Sequence, residues 1–326
     1  MNKRRNWQSL AAAIGLALFA HNAVRAQSYP TRPVNIVVPF PQGGLADVTA
    51  RLMAPELSQK LKQAVVVENR PGAGGALGTA FVANANADGY TLLLGTSSTL
   101  SLLPLLTTKI NIDPRTQLEP VTPIARTPFV FVVNPWVPAK TCPEFVDQAK
   151  GRPGKYHYSS TGNGTQPFMN AELFKLRAHV DIRHVPFRTI SESIVHVVDG
   201  TVELTFQPTG FVPQLIDAGR LRPLGVTSEK RIPKLPGVPT MIECGFSGFV
   251  LHDWTALMVP AKTPDGIVNT LNEAVNEIIQ SPKFTKVLAP LQVEPAGGSP
   301  KELAARIAAD TERWSSLVRA ARLKIE

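Results

Sequence analysis

The sequence predicts a two-lobed α/β protein with a ligand cleft between the lobes. Short apolar runs alternate with helical patterns, which is typical of doubly wound, mostly parallel sheets. The strand–glycine–helix arrangement near the start of the chain occurs again after residue 160. Beyond a 26-residue leader the chain is about 300 residues long, which is more than one hydrophobic core normally serves. We therefore expect two domains joined by two crossings of the chain.

The first 26 residues have the pattern of a secretory signal peptide. Three cations at positions 3–5 form a basic start, residues 10–20 form a short apolar core, and residues 24–26 fit a cleavage site. The apolar core is too short to span a bilayer, which needs about 20 apolar residues. We therefore expect residues 1–26 to be removed and the remaining chain to be exported and soluble.

Composition and charge argue against a nucleic-acid-binding protein. The formal charge of +9 falls to +5 when the four cations of the leader are removed, and the remaining lysines and arginines are scattered. No block of cations is interleaved with aromatic residues, as a nucleic-acid surface would require. Two cysteines remain, Cys142 and Cys244, which in an oxidising compartment form either a disulfide or two separately buried thiols.

The first part of the predicted fold alternates strands and helices. Apolar residues recur at helical spacing from Leu45 to Lys62, and Pro55 is expected to kink this helix or end its first part. The continuous apolar run from Tyr90 to Gly95 is typical of a strand buried on both faces. The predicted elements are strand Pro33–Val38, helix Leu45–Lys62, strand Ala64–Glu68, a glycine-rich turn at 70–75, a helix to about Ala85 and strand Tyr90–Gly95.

The middle of the chain repeats this order, and the end returns to the first unit. Residues 121–134 are expected to form two extended segments interrupted at Thr127-Pro128. The remaining predicted elements are helices Cys142–Lys150, Ser191–Val198, Pro264–Gln280 and Pro300–Leu323, a helix after residue 165, and strands Lys155–Ser160, His184–Phe187, Val202–Phe206, Leu221–Thr227 and Val250–Val259. We expect residues 27–126 plus 251–326 to form one domain and residues 127–250 the other.

Two glycine-containing loops are the candidate ligand site. Residues 40–47 and 161–166 each follow a predicted strand and lead into a helix, where free backbone N–H groups can hold a carboxylate without an arginine. The alternative is that the glycines simply make tight turns. Because each expected domain contains one such loop, we favour a small anion held between them. Gly43→Val is expected to fill the carboxylate position, with little loss of stability if φ at Gly43 is negative.

Two further polar stretches are expected near the same cleft. The hydroxyl cluster Thr96–Thr99 follows an apolar strand, and its alternative role is a polar helix cap. Asp253 and Trp254 lie on the return crossing. They either line the floor of the cleft, or Trp254 is buried in a core.

Sequence signatures of enzymes and metal sites are absent. Residues 72–78 have the spacing G-x-G-x-x-x-G, which differs from the dinucleotide fingerprint, and neither a G-x-S-x-G elbow nor a Walker lysine occurs. The histidines show no ligand-pair spacing on one helix face. We therefore expect no cofactor, no metal and no catalytic residue. A secreted hydrolase that uses Ser97 or Ser160 is the alternative, although no spacing of base and nucleophile supports it.

A series of longer motifs extends from Tyr29 towards the C-terminus. They are YPTRP at 29–33, VPFPQGG at 38–44 with Asp47 and Arg51, VVENRPGAGG at 66–75, ADGYTLLLGT at 87–96, STGNGT at 160–165, HVPF at 184–187, VTSEKR at 226–231, PGVPT at 236–240 and PAKTP at 260–264. Together these motifs resemble the substrate-binding proteins of tripartite tricarboxylate transporters, also called the Bug family.

The resemblance implies a periplasmic binding protein of the Venus-flytrap kind, with type II topology and two interdomain crossings. It also implies that residues 40–47 hold a ligand carboxylate through backbone groups and bridging waters, and that residues 161–165 add contacts from the other domain. Typical ligands of the family are organic di- and tricarboxylates, acidic amino acids and aromatic acids. We expect a monomer of the periplasm that passes such a carboxylate to membrane permease subunits of a tripartite tricarboxylate-type transporter, or to a sensor.

Some positions depart from the family pattern. Gln42 replaces a proline of the opening loop, Gln207 replaces an aspartate, and Arg188 replaces a lysine. Arg188 and Gln207 favour a distal anionic or carbonyl group, because guanidinium and amide both donate hydrogen bonds. The predicted ligand-binding residues are Phe40, Gln42, Gly43, Gly44, Ala46, Asp47, Thr96, Ser97, Thr161, Gly162, Asn163, Gly164, Thr165, Arg188, Gln207 and Trp254.

Overall fold

The computed structural model describes residues 29–106 and 112–323, so the predicted leader at 1–26 lies outside the described residues. Within this described part, no helix is both long enough and apolar enough to cross a membrane. The strands are β1 Val34–Val38, β2 Val65–Asn69, β3 Thr91–Thr96, β4 Leu118–Val133, β5 Tyr156–Ser160, β6 Ile182–Pro186, β7 Leu204–Pro208, β8 Arg222–Val226, β9 His252–Pro260 and β10 Glu294–Pro295.

The helices agree with the sequence prediction for most of the chain, and the bounds of the helix Cys142–Lys150 are identical. The short helices at 103–106, 114–117, 213–217 and 282–288 were not predicted. The α-helices are α1 Leu45–Leu61, α2 Ala76–Ala83, α3 Leu103–Leu106, α4 Pro114–Gln117, α5 Cys142–Lys150, α6 Gln166–Ala178, α7 Ile190–Val198, α8 Pro213–Asp217, α9 Asp265–Ile279, α10 Pro282–Leu288 and α11 Pro300–Ala321.

Each lobe contains three parallel strands extended by antiparallel ones. In the first lobe β1 lies between β2 and β3, and β9 runs antiparallel beside β3. In the second lobe β5 lies between β6 and β7, and β4 runs antiparallel beside β7. Eight strands of the ten-stranded sheet follow the order β2-β1-β3-β9-β4-β7-β5-β6, and β8 and β10 each pair with β4 outside this order. The predicted α/β fold with two lobes and two crossings is confirmed, with a sheet that is mixed rather than mostly parallel.

The long strand β4 joins the two lobes. It pairs with β9 from Leu118 to Pro128, and with β7 from Phe129 to Val133. The predicted interruption at Thr127-Pro128 is therefore wrong, because the strand continues and changes its neighbour there instead. Pro128 has no N–H to donate to a ladder, so a change of partner at this position leaves no donor unpaired. We retain the domain division at residues 126 and 250 as a proposal.

The helix α1 runs through Pro55 without ending there. Pro55 removes one hydrogen bond of the helix, but the apolar face on both sides of it is buried, at Met53, Ala54, Leu57 and Leu61. Packing of this face against the sheet outweighs the local preference of proline. The predicted end of the helix at Pro55 is thus wrong, whereas the predicted kink stays a prediction.

The two lobes have separate cores that share the C-terminal helix. In the first lobe Val34, Ile36 and Val38 of β1 pack with apolar residues of α1 and α9. In α11, Leu303 and Ile307 pack with β9 of the first lobe, whereas Trp314 and Leu317 pack in the aromatic core of the second lobe. The helix therefore contributes apolar contacts to both lobes.

The two cysteines belong to the second core and are not joined in this structure. Cys142 is buried and Cys244 is partly buried, and both are free thiols. The pKa of Cys142 is raised, first by the hydrogen bond with Cys244 and then by burial. The two sulfur atoms are therefore neighbours, and the choice between a disulfide and two thiols stays open.

The aromatic core of the second lobe gives the first testable prediction. Phe131 is fully buried, and its ring centroid lies 5.3, 5.0 and 4.9 Å from those of Phe145, Phe174 and Phe206. Phe131→Ala is expected to lower the free energy of unfolding by about 3–5 kcal/mol, because it leaves a cavity among rigid rings. Urea denaturation measures this. Phe211→Ala is the control, since Phe211 is 45% exposed, and a loss for Phe131→Ala as small as the control's contradicts the prediction.

Candidate functional site

The first predicted loop connects β1 to α1 and ends in exposed backbone donors. Gly44 is the N-cap of α1, and no side chain caps this helix end. Gly44, Gly43 and Gln42 are exposed. In the described part of the chain, the N–H groups of Gly44 and Leu45 have no acceptor. The positive end of the α1 dipole is therefore open to an anion from solvent.

Asp47 fixes the shape of this loop from inside. Its carboxylate accepts hydrogen bonds from the Gly43 N–H at 3.0 Å, the Asn69 amide at 2.9 Å and Arg51 Nε at 3.0 Å. Asn69 also donates to the Phe40 carbonyl at 3.0 Å. Burial raises the pKa of Asp47, but these hydrogen bonds and the charge of Arg51 outweigh burial and hold the pKa below its usual value. All these contacts are internal, so Asp47 positions the loop and its predicted contact with ligand is not supported.

Gly43 and Gly44 differ in backbone conformation. Gly43 has φ +91°, which is strained for any other residue, and its N–H is already bound to Asp47. The expectation that Gly43→Val leaves stability unchanged required a negative φ and is therefore wrong. Gly44 has φ −77°, and a Cβ placed there meets no atom within 4 Å. Gly44 is thus the position at which a side chain can enter the cleft without strain.

The second predicted loop connects β5 to α6. Its turn is closed by the Gly162 N–H, which donates to Ser160 Oγ at 3.0 Å, and by Thr165 Oγ1, which donates to the Gly162 carbonyl at 2.7 Å. Thr165 is the N-cap of α6, and no side chain caps this helix end either. Thr161 is half-buried, Asn163 is exposed, and Gly162 and Gly164 have positive φ. The two loops are thus built alike.

A polar cluster connects the two lobes beside these loops. Ser97, which follows β3, donates to Asp253 of β9 at 2.6 Å, and its Oγ lies 3.5 Å from Gln166 Oε1 at the start of α6. Burial raises the pKa of Asp253. Ser97 was predicted as a ligand-binding residue. Gln166 ends the second predicted loop and Asp253 was considered for the floor of the cleft, although neither was among the predicted ligand-binding residues. The glycine pattern alone does not indicate the contact between Gln166 and Ser97.

Three buried polar atoms near this cluster lack hydrogen-bond partners in the described part of the chain. They are Ser101 Oγ, Asn170 Nδ2 and Thr255 Oγ1. Ser101 follows Ser97 by four residues, Asn170 is one helical turn beyond Gln166, and Thr255 pairs with Thr96 across the sheet. Buried polar groups normally have partners, so this region is suited to ordered water or to polar atoms of a ligand.

Two predicted site residues serve the hydrophobic interior instead. Trp254 is 1% exposed, packs with α11, and donates its Nε1 hydrogen to Asp310 at 2.7 Å. Its burial fits the second of the two roles considered for Trp254, a tryptophan of the core, because alternate residues of a strand face opposite ways and Asp253 takes the side of Ser97. Ligand contact by Trp254 stays a prediction. Phe40 packs on Gly75, where an added Cβ would lie 2.6 Å from Thr99 and 3.1 Å from the Phe40 ring.

The remaining predicted residues have mixed outcomes. Thr96 is buried and its N–H donates to Thr99 Oγ1 at 2.9 Å, whereas Ser97 is the N-cap of the turn that follows and no side chain caps it. Ala46 is buried in the first turn of α1. Gln207 is fully buried, and its amide nitrogen donates to Ser193 at 3.0 Å and Thr205 at 2.9 Å. That amide is therefore not free to donate to a ligand as predicted, although its Oε1 is unpaired in the described chain.

Arg188 is a predicted ligand-binding residue whose guanidinium has no partner among the described residues. It is exposed, and within residues 29–106 and 112–323 its guanidinium forms neither an ion pair nor a hydrogen bond. Only its backbone N–H is engaged, with Glu192 at 3.0 Å. No cluster of three or more side chains suited to a metal ion occurs among the described residues.

Comparison with known proteins shows which families and structures the chain is similar to. Residues 49–323 match a family model described as the tripartite tricarboxylate transporter family receptor. The chain is 36% identical to Protein BugT of Bordetella pertussis, over 98% of this chain and 100% of that protein. It is 35% identical to a UPF0065 protein in the tcbD-tcbE intergenic region of Pseudomonas sp. strain P51, over 94% of this chain and 91% of that protein.

Solved structures are similar over most of the chain. Rpa4515 of R. palustris, determined with adipate, has a TM-score of 0.80 and 34% identity, covering 91% of this chain and 99% of its own. MatC from Rhodopseudomonas palustris with bound malate has a TM-score of 0.77 and 29% identity, covering 89% of this chain and 100% of its own. The periplasmic binding protein BugD has a TM-score of 0.77 and 30% identity, covering 91% and 99%.

The contacts of Asp47 predict a pH-dependent contribution to stability. Since the pKa of Asp47 is lowered on folding, its contribution is present above the unfolded pKa of about 3.9 and is lost as the pH falls through the folded pKa. Asp47→Asn is expected to lower the free energy of unfolding by about 1–3 kcal/mol at neutral pH. Urea denaturation at several pH values should show this difference shrinking below about pH 4.

A matched control is Asp265→Asn. Asp265 also lies in the first turn of a helix but is exposed, so its replacement should have little effect at any pH. A loss for Asp47→Asn that stays constant down to acid pH would contradict the assigned role.

Proposed function

Because this chain belongs to the tripartite tricarboxylate transporter receptor family, whose members are periplasmic solute-binding proteins, we propose that it captures a small dicarboxylate of the size of malate or adipate between its lobes. The observation that carries the proposal is the pair of uncapped helix ends, one per lobe, at Gly44 and Thr165. Both ends follow a glycine turn that is fixed by internal hydrogen bonds. The relatives solved with adipate and with malate support this class of ligand.

One carboxylate of the ligand binds at the first loop. The N–H groups of Gly44 and Leu45 donate to its oxygens, directly or through water, and the α1 dipole stabilises its charge. Asp47 takes no part in this contact, because its carboxylate is occupied by Gly43, Asn69 and Arg51. Its negative charge is offset by Arg51, so the loop remains attractive to an anion.

The second lobe contributes its own contacts when the lobes close. The turn at Thr161–Thr165 presents the start of α6, and the exposed guanidinium of Arg188 can pair with a distal carboxylate. A ligand that makes contacts in both lobes favours the closed form over the open one, which is how binding drives closure. The contact between Ser97 and Gln166 already spans the lobes in this structure.

One structural observation bears on the alternative that the protein is a hydrolase. Ser160 Oγ lies 2.7 Å from His184 Nε2, a pairing that sequence spacing did not indicate. However, Ser160 is fully buried and its oxygen accepts the Gly162 N–H of the turn. Burial lowers the pKa of His184 to about 4. These contacts suit a fixed turn better than an attacking serine, and the family consists of receptors rather than enzymes.

The partners follow from the same family. We propose that residues 1–26 direct export to the periplasm and that the loaded protein, as a monomer, delivers its acid to the membrane subunits of a tripartite transporter. Release to a sensor instead is the alternative. Both destinations require the closed, loaded form to be recognised.

Ligand binding is tested by thermal unfolding of the mature chain with a panel of acids. At one hundred times its Kd a ligand adds about 2.7 kcal/mol of stability, which raises the Tm on the order of 5 °C for a chain of this size. Malate, adipate and related dicarboxylates are expected to give such shifts, and the corresponding diamides are not. A folded sample that no small carboxylate stabilises would count against the proposal.

Gly44→Val tests where the carboxylate binds. The valine side chain occupies the space in front of the α1 N–H groups, so the Kd of the best acid should rise by at least about tenfold, equivalent to about 1.4 kcal/mol. Gly266→Val is the matched control, because Gly266 lies in the first turn of α9 with equally open space around it. Calorimetric titration of both variants measures the effect. Unchanged affinity in Gly44→Val would mean that the loop is only structural.

A further inference from the structure

The two cysteines of the chain are neighbours in the core of the second lobe. Cys142 is the first residue of α5 and has no exposed surface, whereas Cys244 is partly buried in the irregular segment between β8 and β9. The two thiols are hydrogen-bonded, and each shifts the pKa of the other. The chain contains two cysteines in all, so each has the other as its one possible partner within the chain.

Strand β8 is attached to the segments of both cysteines. Arg222, the first residue of β8, donates hydrogen bonds to the carbonyls of residues 137 and 139 at 2.7 and 3.0 Å, in the loop that leads to Cys142. The carbonyl of Leu224 on the same strand accepts from Cys244 Sγ at 3.7 Å. The neighbouring position of the two thiols therefore does not depend on their own contact alone.

The segment that carries Cys244 has little regular structure to hold it. Residues 227–251 connect β8 to β9 and form no helix and only one isolated bridge. The segment is attached through Met241, whose N–H donates to β8 at 2.8 Å, and through the ring of Phe246, which packs in the aromatic core. Irregular segments of this length are uncommon inside a compact domain, and this one leads into the crossing strand β9. A covalent link from Cys244 to α5 fixes its position.

We propose that Cys142 and Cys244 form a disulfide in the exported protein, which ties the segment 227–251 to α5. This rests on the proposed export, because disulfides form and persist in oxidising compartments. Neighbouring sulfur atoms need only a small movement to reach the S–S length of about 2.05 Å. The free thiols of this structure then represent the reduced form. The bond closes a loop that contains β5–β8, and stabilisation by a disulfide increases with the length of the loop that it closes.

The bond forms by thiol–disulfide exchange with an oxidant that itself contains a disulfide, such as glutathione disulfide. Cys244 is the more exposed of the two cysteines, and its hydrogen bond with Cys142 lowers its pKa, so its thiolate attacks first. A mixed disulfide forms and one sulfur of the oxidant leaves as a thiol. Cys142 then loses its proton, attacks Cys244 Sγ and releases the second sulfur of the oxidant. The two cysteines together lose two electrons and two protons, and the oxidant becomes two thiols.

The proposal is tested by counting thiols in the mature chain, purified in reduced form, folded, and incubated with a mixture of reduced and oxidised glutathione. The protein is alkylated with iodoacetamide in denaturant and weighed intact by mass spectrometry. We expect a monomer without label before reduction and with two labels after reduction. The full chain produced with its leader and recovered from the periplasm should give the same result. Two labels before reduction in the glutathione arm, or a bond between two chains, would overturn the proposal.

Cys244→Ala is the matched control for the labelling. It leaves Cys142 without a partner, so one label is expected before reduction, which shows that a buried thiol is labelled once the protein is denatured. The glutathione arm does not depend on export or on ligand binding. A chain that keeps its leader, or that binds no acid, therefore counts against the proposed function and leaves the result of this arm valid.

Thermal unfolding measures what the bond contributes. Reductant is expected to lower the Tm of the oxidised protein by about 5–10 °C, because the unfolded chain regains the freedom of a long loop. The double variant Cys142→Ala with Cys244→Ala lacks the bond, so its Tm should be the same with and without reductant. A Tm of the oxidised wild type that reductant leaves unchanged contradicts the assigned role of holding the segment 227–251 in place.

Discussion

Both lobes depend on the antiparallel pairing of β4 with β9. A residue in a strand has only two neighbouring strands, so one strand can serve two sheets only by changing partners along its length. β4 does this between Pro128 and Phe129, at a residue that has no N–H to leave unpaired. Since β9 returns beside it, the lobes are joined by two adjacent strands. The C-terminal helix then packs against both cores and so adds a third connection between the lobes.

The two helix ends of the candidate cleft share one feature, the lack of a side-chain cap. Neither α1 nor α6 has a side-chain cap, although α5, α7 and α11 are capped by Thr141, Thr189 and Ser299. An uncapped helix end gives up about 1 kcal/mol of stability. In the first lobe Asp47 compensates by binding the loop from inside and leaves the outer donors open. The chain thus separates the group that shapes the loop from the N–H groups that we propose bind the ligand.

The sequence predicts most of this architecture, because strand–glycine–helix units are local patterns. The two loops, their glycines and the lobe order follow from residues close together in the chain. The side of β9 that faces the cleft does not, because it depends on register with β3 and β4, and this is why the sequence left both Asp253 and Trp254 as candidates for the floor of the cleft. Ser160 and His184 meet across neighbouring strands, 24 residues apart. The predicted end of a helix at Pro55 is wrong because burial of Met53 and Leu57 on either side of it favours a continuous α1.

Hydrogen bonding separates structural from functional polar groups inside this protein. Under α7, Ser159, Ser193 and Thr205 bond to one another and to the backbone, so this network holds the second lobe together without help. Where the lobes meet, Ser101, Asn170 and Thr255 are equally buried but have unpaired atoms among the described residues. Leaving such groups unpaired costs about 1–3 kcal/mol each. Unpaired atoms at the junction of the lobes therefore support our proposal that this surface binds water or a polar solute, although Gln207 Oε1 in the second lobe is also unpaired among the described residues.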